Sequence, residues 1–189
     1  MTRNGVLSVC TNMSVHDSWE ALLWLKSTAY HLLSLDLSKV AVGGSSAGGN
    51  LAAVICHRAL SAPSSVPKLR VKLLIVPVTD NTALPSNTPP WKENGFAPAL
   101  PSLKILWYRN HYLPDEKTWP EPEASPLLYE GGWKYEGEAY AEKLESAGVE
   151  VELKAMKGMP HPFFAMDGVL QQGRDAITYM VEALNRAFA

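Results

Sequence analysis

The chain has 189 residues, 47% of them hydrophobic, which fits one ordinary globular domain with a sizeable core and gives no ground for two. A formal net charge of -2, from 17 basic and 19 acidic residues, excludes an electrostatic case for nucleic acid or an anionic membrane as partner. Cys10 and Cys56 have neither metal-ligand spacing nor the look of a disulfide framework, so no metal site is expected and a reduced, cytoplasmic setting fits best. The opening MTRNGVLSVCTNMSV lacks an apolar signal-like core, and no later run reaches about 18 uninterrupted apolar residues, so a soluble protein is expected.

In chain order, Ser14-Val15-His16-Asp17 has capping-box spacing and is expected to open a helix whose apolar stripe is Trp19, Leu22, Leu23, Tyr30 and Leu33, ending before Leu37. KVAVG, 39–43, reads as a short strand, and AGGNLAAVICHRAL, from Ala47, as a buried helix. VKLLIVPV, 71–78, is a near-continuous apolar run of the kind parallel strands show when both faces are covered. The segment from Asn81 to Pro101 is rich in proline and polar residues, and LKILWYRNHYL after it suits a helix; 81–129 is the candidate cap over a substrate. GEAYAEKLESAG is helical with Gly148 as its stop, VEVELKAM at 149–156 alternates as a third strand, and a last helix runs from about Asp167 to Phe188. Strands alternating with helices indicate an α/β layered fold.

The glycine-rich stretch VAVGGSSAGGN sits where a strand gives way to a helix. Within it, Gly44-Ser45-Ser46-Ala47-Gly48 fits the G-x-S-x-G nucleophile elbow, in which a serine rides a sharp strained turn at the head of a helix. Gly44 and Gly48, two before and two after Ser46, are expected to be tiny because strand and helix approach closely there. The Ala47 amide at the helix N-terminus can donate to a developing oxyanion. A plain glycine turn and a phosphate cradle are the rival readings, but neither G-x-G-x-x-G nor G-x-x-x-x-G-K-[ST] is present.

A serine hydroxyl needs a base. His57 lies eleven positions beyond Ser46 on the same helix, about three turns and roughly 16 Å along the axis, too far to reach. His31 precedes the strand on an expected helix, and His16 and His111 sit in or near loops and read as solvated histidines. His161, in KGMPHPF, follows the last strand pattern, where the carboxyl ends of strands in open α/β sheets collect site residues, and it follows the serine in the chain order hydrolases use.

DSWEALLWL, KVAVGGSSAGGNLAA, LLIVPVTD, ASPLL, GEAYAEKLESAGV and GMPHPF, together spanning about 17 to 188, resemble in order the hormone-sensitive-lipase-like branch of the α/β-hydrolases, the fold-3 family. The resemblance implies a partial α/β-hydrolase fold, a mostly parallel sheet with flanking helices in one incomplete domain over 1–189, of which 1–16 is atypical. It implies a serine esterase acting on carboxylic esters without a cofactor, with Ser46 as nucleophile and His161 as general base. The residue before the nucleophile is commonly acidic in that family; here it is Ser45.

Two family parts are missing from the sequence. No histidine is followed by glycine, so no H-G-G-G loop supplies further oxyanion donors. Trp133-Lys134-Tyr135 runs almost directly into Glu136-Gly137-Glu138, where the family has a strand and an acid-bearing loop. Asp80, closing LLIVPVTD, is the best surrogate acid, set against its plainer reading as the cap of a turn through Asn81 and Thr82. Trp91, Phe96, Trp107 and Tyr108 are candidate pocket residues. A sheet reduced to three strands exposes edges that partners, including further copies in a homo-oligomer, would cover. The expected function is an impaired serine carboxylesterase, with an inactive hydrolase-like binding module as the alternative.

Overall fold

The computed structural model describes residues 3–128 and 136–189. Tyr129, Glu130 and the Trp133-Lys134-Tyr135 junction lie outside the described residues, as do the side chains of Cys10 and Glu136. Helix α1 is Arg3–Trp24; a π-helical turn at Leu25–Ala29 leads into the single turn α2, Tyr30–Leu32. The helix therefore begins upstream of its expected start, and Ser14 lies inside it. The Ser18 hydroxyl donates to the Ser14 carbonyl at 2.7 Å, the way a mid-helix serine satisfies itself against the preceding turn instead of capping. The apolar stripe packs as its spacing predicts near the middle: Val15 and Leu22 are buried against Val54, Ile55, Ala59 and Val66, with Trp19 and Leu23 alongside. Its far end does not, because Leu33 stands in solvent.

Strand β1, Val40–Ser45, runs into helix α3, Ala47–Ser61, which crosses to the parallel strand β2, Leu69–Ile75. The register pairs Val40 with Leu69 and Ser45 with Ile75. The segment 81–128 carries the short helix α4, Pro89–Glu93, and α5, Ser102–Tyr112. Helices α6, Glu136–Ser146, and α7, Gln171–Phe188, complete the chain, the latter starting four residues after the expected Asp167. Ala139 and Tyr140 of α6 close a second core against Ala53 and Leu127. Among the described residues no helix is long and apolar enough to cross a membrane, and no group of three or more His, Cys, Asp or Glu could hold a metal ion.

The third expected strand is corrected. Residues 149–156 alternate like a strand but form none; 150–155 make no backbone hydrogen bond among the described residues, and Val149 and Leu153 are half exposed. Alternation describes a surface that fits a sheet, but only a neighbouring ladder makes a strand. Among the described residues the sheet has only β1 and β2, and this segment pairs with neither.

Behind the sheet a polar relay crosses the α3–β2–α6 layer. Lys72 Nζ donates to the Tyr140 hydroxyl at 3.0 Å, and that hydroxyl lies 3.1 Å from His57 Nε2. Burial, aided by the charges of Lys72 and Lys143, pushes His57 down to about 4. The unfolded chain then binds more protons than the folded one between about 6.5 and 4, so stability rises with pH across that window. The midpoint of urea unfolding is expected to fall as pH drops from about 6.5 to about 4, and His57→Gln to flatten that slope. An unchanged slope in the variant would remove His57 from the account.

Candidate active site

The turn between β1 and α3 sets the site. Ser46 adopts φ 55° and ψ -117°, a region that a residue with a Cβ occupies only when its surroundings hold it. They do so through both backbone groups: the Ser46 N–H donates to the Ile75 carbonyl at 2.9 Å, and its carbonyl accepts from the amides of Asn50 at 3.1 Å and Val78 at 3.3 Å. A Cβ on Gly44 would lie 2.2 Å from the Gly48 carbonyl oxygen, so glycine is obligatory there. The matching expectation for Gly48 is corrected. A Cβ at Gly48 meets nothing within 4 Å, and the second close approach falls on Gly49, where a Cβ would sit 2.9 Å from Pro77 Cβ. The helix thus rests on the loop after β2 through Gly49, while Gly48 borders an open cavity of about 260 Å³ shared with Leu22, Val42, Gly43 and Leu51.

Ser46 and His161 meet. His161 Nε2 is 2.8 Å from Ser46 Oγ, although 115 residues separate them. The histidine lies in a loop just ahead of the single-turn helix Phe163–Met166, whose Phe163 is buried. Burial lowers the His161 pKa, which favours the neutral ring; with its proton on Nδ1, that ring offers Nε2 as an acceptor to the serine hydroxyl. Ala47 heads α3, where the first amides of a helix have no intrahelical acceptor, so its N–H sits beside the serine with donor capacity to spare. Ser45 ends β1 opposite Ile75.

Asp80 is not joined to this pair. Its Oδ1 accepts from the Thr82 amide at 2.7 Å and the Thr82 hydroxyl at 2.6 Å, an Asx turn that holds the start of the 81–128 segment. Among the described residues no carboxylate hydrogen-bonds His161, and burial is the cause of its shift with no acid beside it. The aromatic candidates do not enclose a pocket: Phe96 is 98% exposed, Trp107 and Tyr108 are about half exposed in edge contact with each other, and Trp91 is half-buried.

Two buried polar residues outside the G-x-S-x-G motif anchor the segment 81–128. Arg109, 7% exposed, donates from Nη1 to the carbonyls of Asn81 and Ala83 and lays its guanidinium 3.7 Å from the centre of the Trp119 ring. Asn50, 3% exposed, donates to the carbonyls of Val78 and Ala124. An asparagine inside an otherwise apolar helix, where its propensity is poor, was the available signal for the second. Nothing in the pattern of WYRNHY marked Arg109 as buried.

A Ser–His pair on a strand-to-helix elbow at the carboxyl edge of a parallel sheet is an arrangement that serine hydrolases use. The family model described as alpha/beta hydrolase fold matches residues 11–135, and the chain belongs to that family. It is 44% identical over 192 residues to an AB hydrolase superfamily protein of Schizosaccharomyces pombe, covering 93% of this chain and 56% of that protein. It is 28% identical to the ethyl acetate hydrolase of Pseudomonas putida, covering 90% of this chain and 57% of that enzyme. Among solved structures, the thermostable carboxylesterase EstE1, cloned from a metagenomic library, superposes with a TM-score of 0.81 at 29% identity, over 93% of this chain and 63% of that one. The chain thus spans little more than half the length of the curated relatives it matches.

The elbow contacts separate two glycines of one motif. Gly44→Ala is expected to cost about 3 kcal/mol or more, because the obstructing atoms are backbone and cannot turn away. Gly48→Ala is expected to be neutral or to stabilise by up to about 1 kcal/mol through helix propensity. Urea unfolding of both variants checks the contrast, and equal losses would contradict it.

Proposed function

We propose that the chain carries a carboxylic ester hydrolase site in which Ser46 is the nucleophile and His161 the general base. The 2.8 Å approach of His161 Nε2 to Ser46 Oγ is the observation that supports it most. In the reaction, Ser46 Oγ attacks the ester carbonyl carbon as its proton passes to His161 Nε2. The tetrahedral oxyanion is met by the Ala47 amide; its collapse breaks the bond to the alcohol, which leaves with the proton from His161. Water, deprotonated by the same histidine, then releases the acid and frees Ser46. No cofactor takes part in these steps. Small carboxylic esters are the proposed substrates, in keeping with the ethyl acetate hydrolase and carboxylesterases among the relatives.

The site works below the level of a complete triad. An acid that orients the histidine and stabilises its charged form is worth about 10⁴ in turnover, and one oxyanion donor about 10² to 10³. Asp80, committed to Thr82, does not fill the first role, and the 189 residues contain no His-Gly pair to begin an H-G-G-G loop for the second.

The initial rate of p-nitrophenyl butyrate hydrolysis is expected to exceed that of Ser46→Ala and of His161→Ala while staying far below that of a complete triad enzyme. Its pH profile is expected to rise through a midpoint below the ordinary imidazole value of about 6.5, because burial favours the neutral base. A midpoint above that value would place an anionic partner beside His161 and overturn the acid-free site. Wild-type rates equal to those of Ser46→Ala in folded protein would leave the binding module as the reading.

A further inference from the structure

Ser46 is held in its strained conformation partly by the loop that follows β2, and that loop is itself strained. Val76, a β-branched residue, sits at φ 42°, where such a side chain is a genuine outlier. Two residues later Val78 donates its amide to the Ser46 carbonyl. The loop therefore needs an anchor of its own, and the structure supplies one from the helix that Ser46 begins. Asn50, one turn into α3, donates from Nδ2 to the Val78 carbonyl at 2.8 Å and to the Ala124 carbonyl at 2.8 Å. The three residues close a ring: Asn50 N–H to Ser46, Val78 N–H to Ser46, and the Asn50 side chain back to Val78.

The same amide ties the ring to the cap. The Ala124 carbonyl also accepts from Asn81 Nδ2 at 2.6 Å, and the Asn81 carbonyl accepts from Arg109 of α5. We infer that Asn50 is a positioning residue for the nucleophile, pinning the 76–78 loop so that Val78 fixes the Ser46 carbonyl and, through it, the direction of Oγ toward His161. This rests on the reading of Ser46 as nucleophile. Only a side-chain amide supplies two hydrogens from one nitrogen at this reach. Both carbonyls demand donors, which assigns the Nδ2 face without ambiguity. Among the described residues the buried Oδ1 has no hydrogen-bond partner, so the side-chain amide is held by its donor face.

Asn50→Asp keeps the shape and turns an oxygen toward two carbonyls; Asn50→Ala removes the donors without burying a charge. Two readouts on the full chain separate the ideas: inactivation of Ser46 by an alkyl fluorophosphonate, and amide hydrogen exchange at Val78. In both variants kinact is expected to fall about 10²-fold, the cost of misplacing a reacting group by about 1 Å, with KI within about twofold of wild type. Val78 exchange is expected to quicken while exchange in α7 stays as it was. Unchanged kinact and unchanged Val78 exchange would overturn the inference, as would acceleration spread equally through α7, which reports general loosening. Labelling that persists in Ser46→Ala would overturn the nucleophile assignment, and Val78 exchange then decides the anchor by itself.

Discussion

A serine at φ 55° persists only if the chain around it costs more to rearrange than the strain it relieves. Everything that makes this molecule recognisable follows from that constraint. The Ser46 N–H reaches back to Ile75 at the end of β2, and its carbonyl is taken by Asn50 and Val78, so strand pairing, helix start and loop all meet in one residue. Gly44 lets the chain fold back on Gly48, and Gly49 lets the helix settle on Pro77. Two parallel strands and one crossover helix are enough for this, which is why the elbow survives in a sheet of two strands among the described residues.

The base is a separate matter of reach. His161 comes from a part of the chain whose supporting strand has not formed, yet it arrives within hydrogen-bond distance of the serine. The small helix after it provides the anchor: Phe163 is buried, and Gly173 of α7 packs so tightly on this turn that a Cβ there would lie 2.8 Å from the Phe163 carbonyl oxygen. Helix α7 thus braces the turn that carries His161.

How much of this is legible in the sequence depends on whether the signal is local. The elbow was legible because strained turns demand specific small residues at specific positions, and VAVGGSSAGGN has them. Even there, motif spacing pointed at Gly48 as the close approach when the contact falls on Gly49. His161 followed from chain order and from the strand-like pattern before it, although that pattern never became a strand. Periodicity reports side-chain environment, and VEVELKAM carries the periodicity of a strand although no neighbouring ladder meets it among the described residues. Arg109 is out of reach for the opposite reason: its partners are backbone carbonyls 26 and 28 positions away, and backbone carries no sequence signal. Asn50 shows itself only as a poor helix former inside an apolar helix, and its partners 28 and 74 positions away stay equally hidden.

Asp80 shows how the two kinds of signal compete. Its place at the end of an apolar strand suited an acid, and its neighbours Asn81 and Thr82 suited a turn. The turn prevails because Thr82 offers an amide and a hydroxyl within 2.7 Å of one carboxylate oxygen, a local closure that costs little chain entropy. Turning that carboxylate toward His161 would forfeit both bonds and leave the start of the 81–128 segment unheld, next to the Asn81 carbonyl to which Arg109 donates. A residue already serving as the hinge of one segment is poorly placed to become the acid of another. His161 is therefore left with burial as the cause of its shift, and burial alone favours the neutral ring that accepts a proton while withholding the partner that would stabilise the charged ring afterwards.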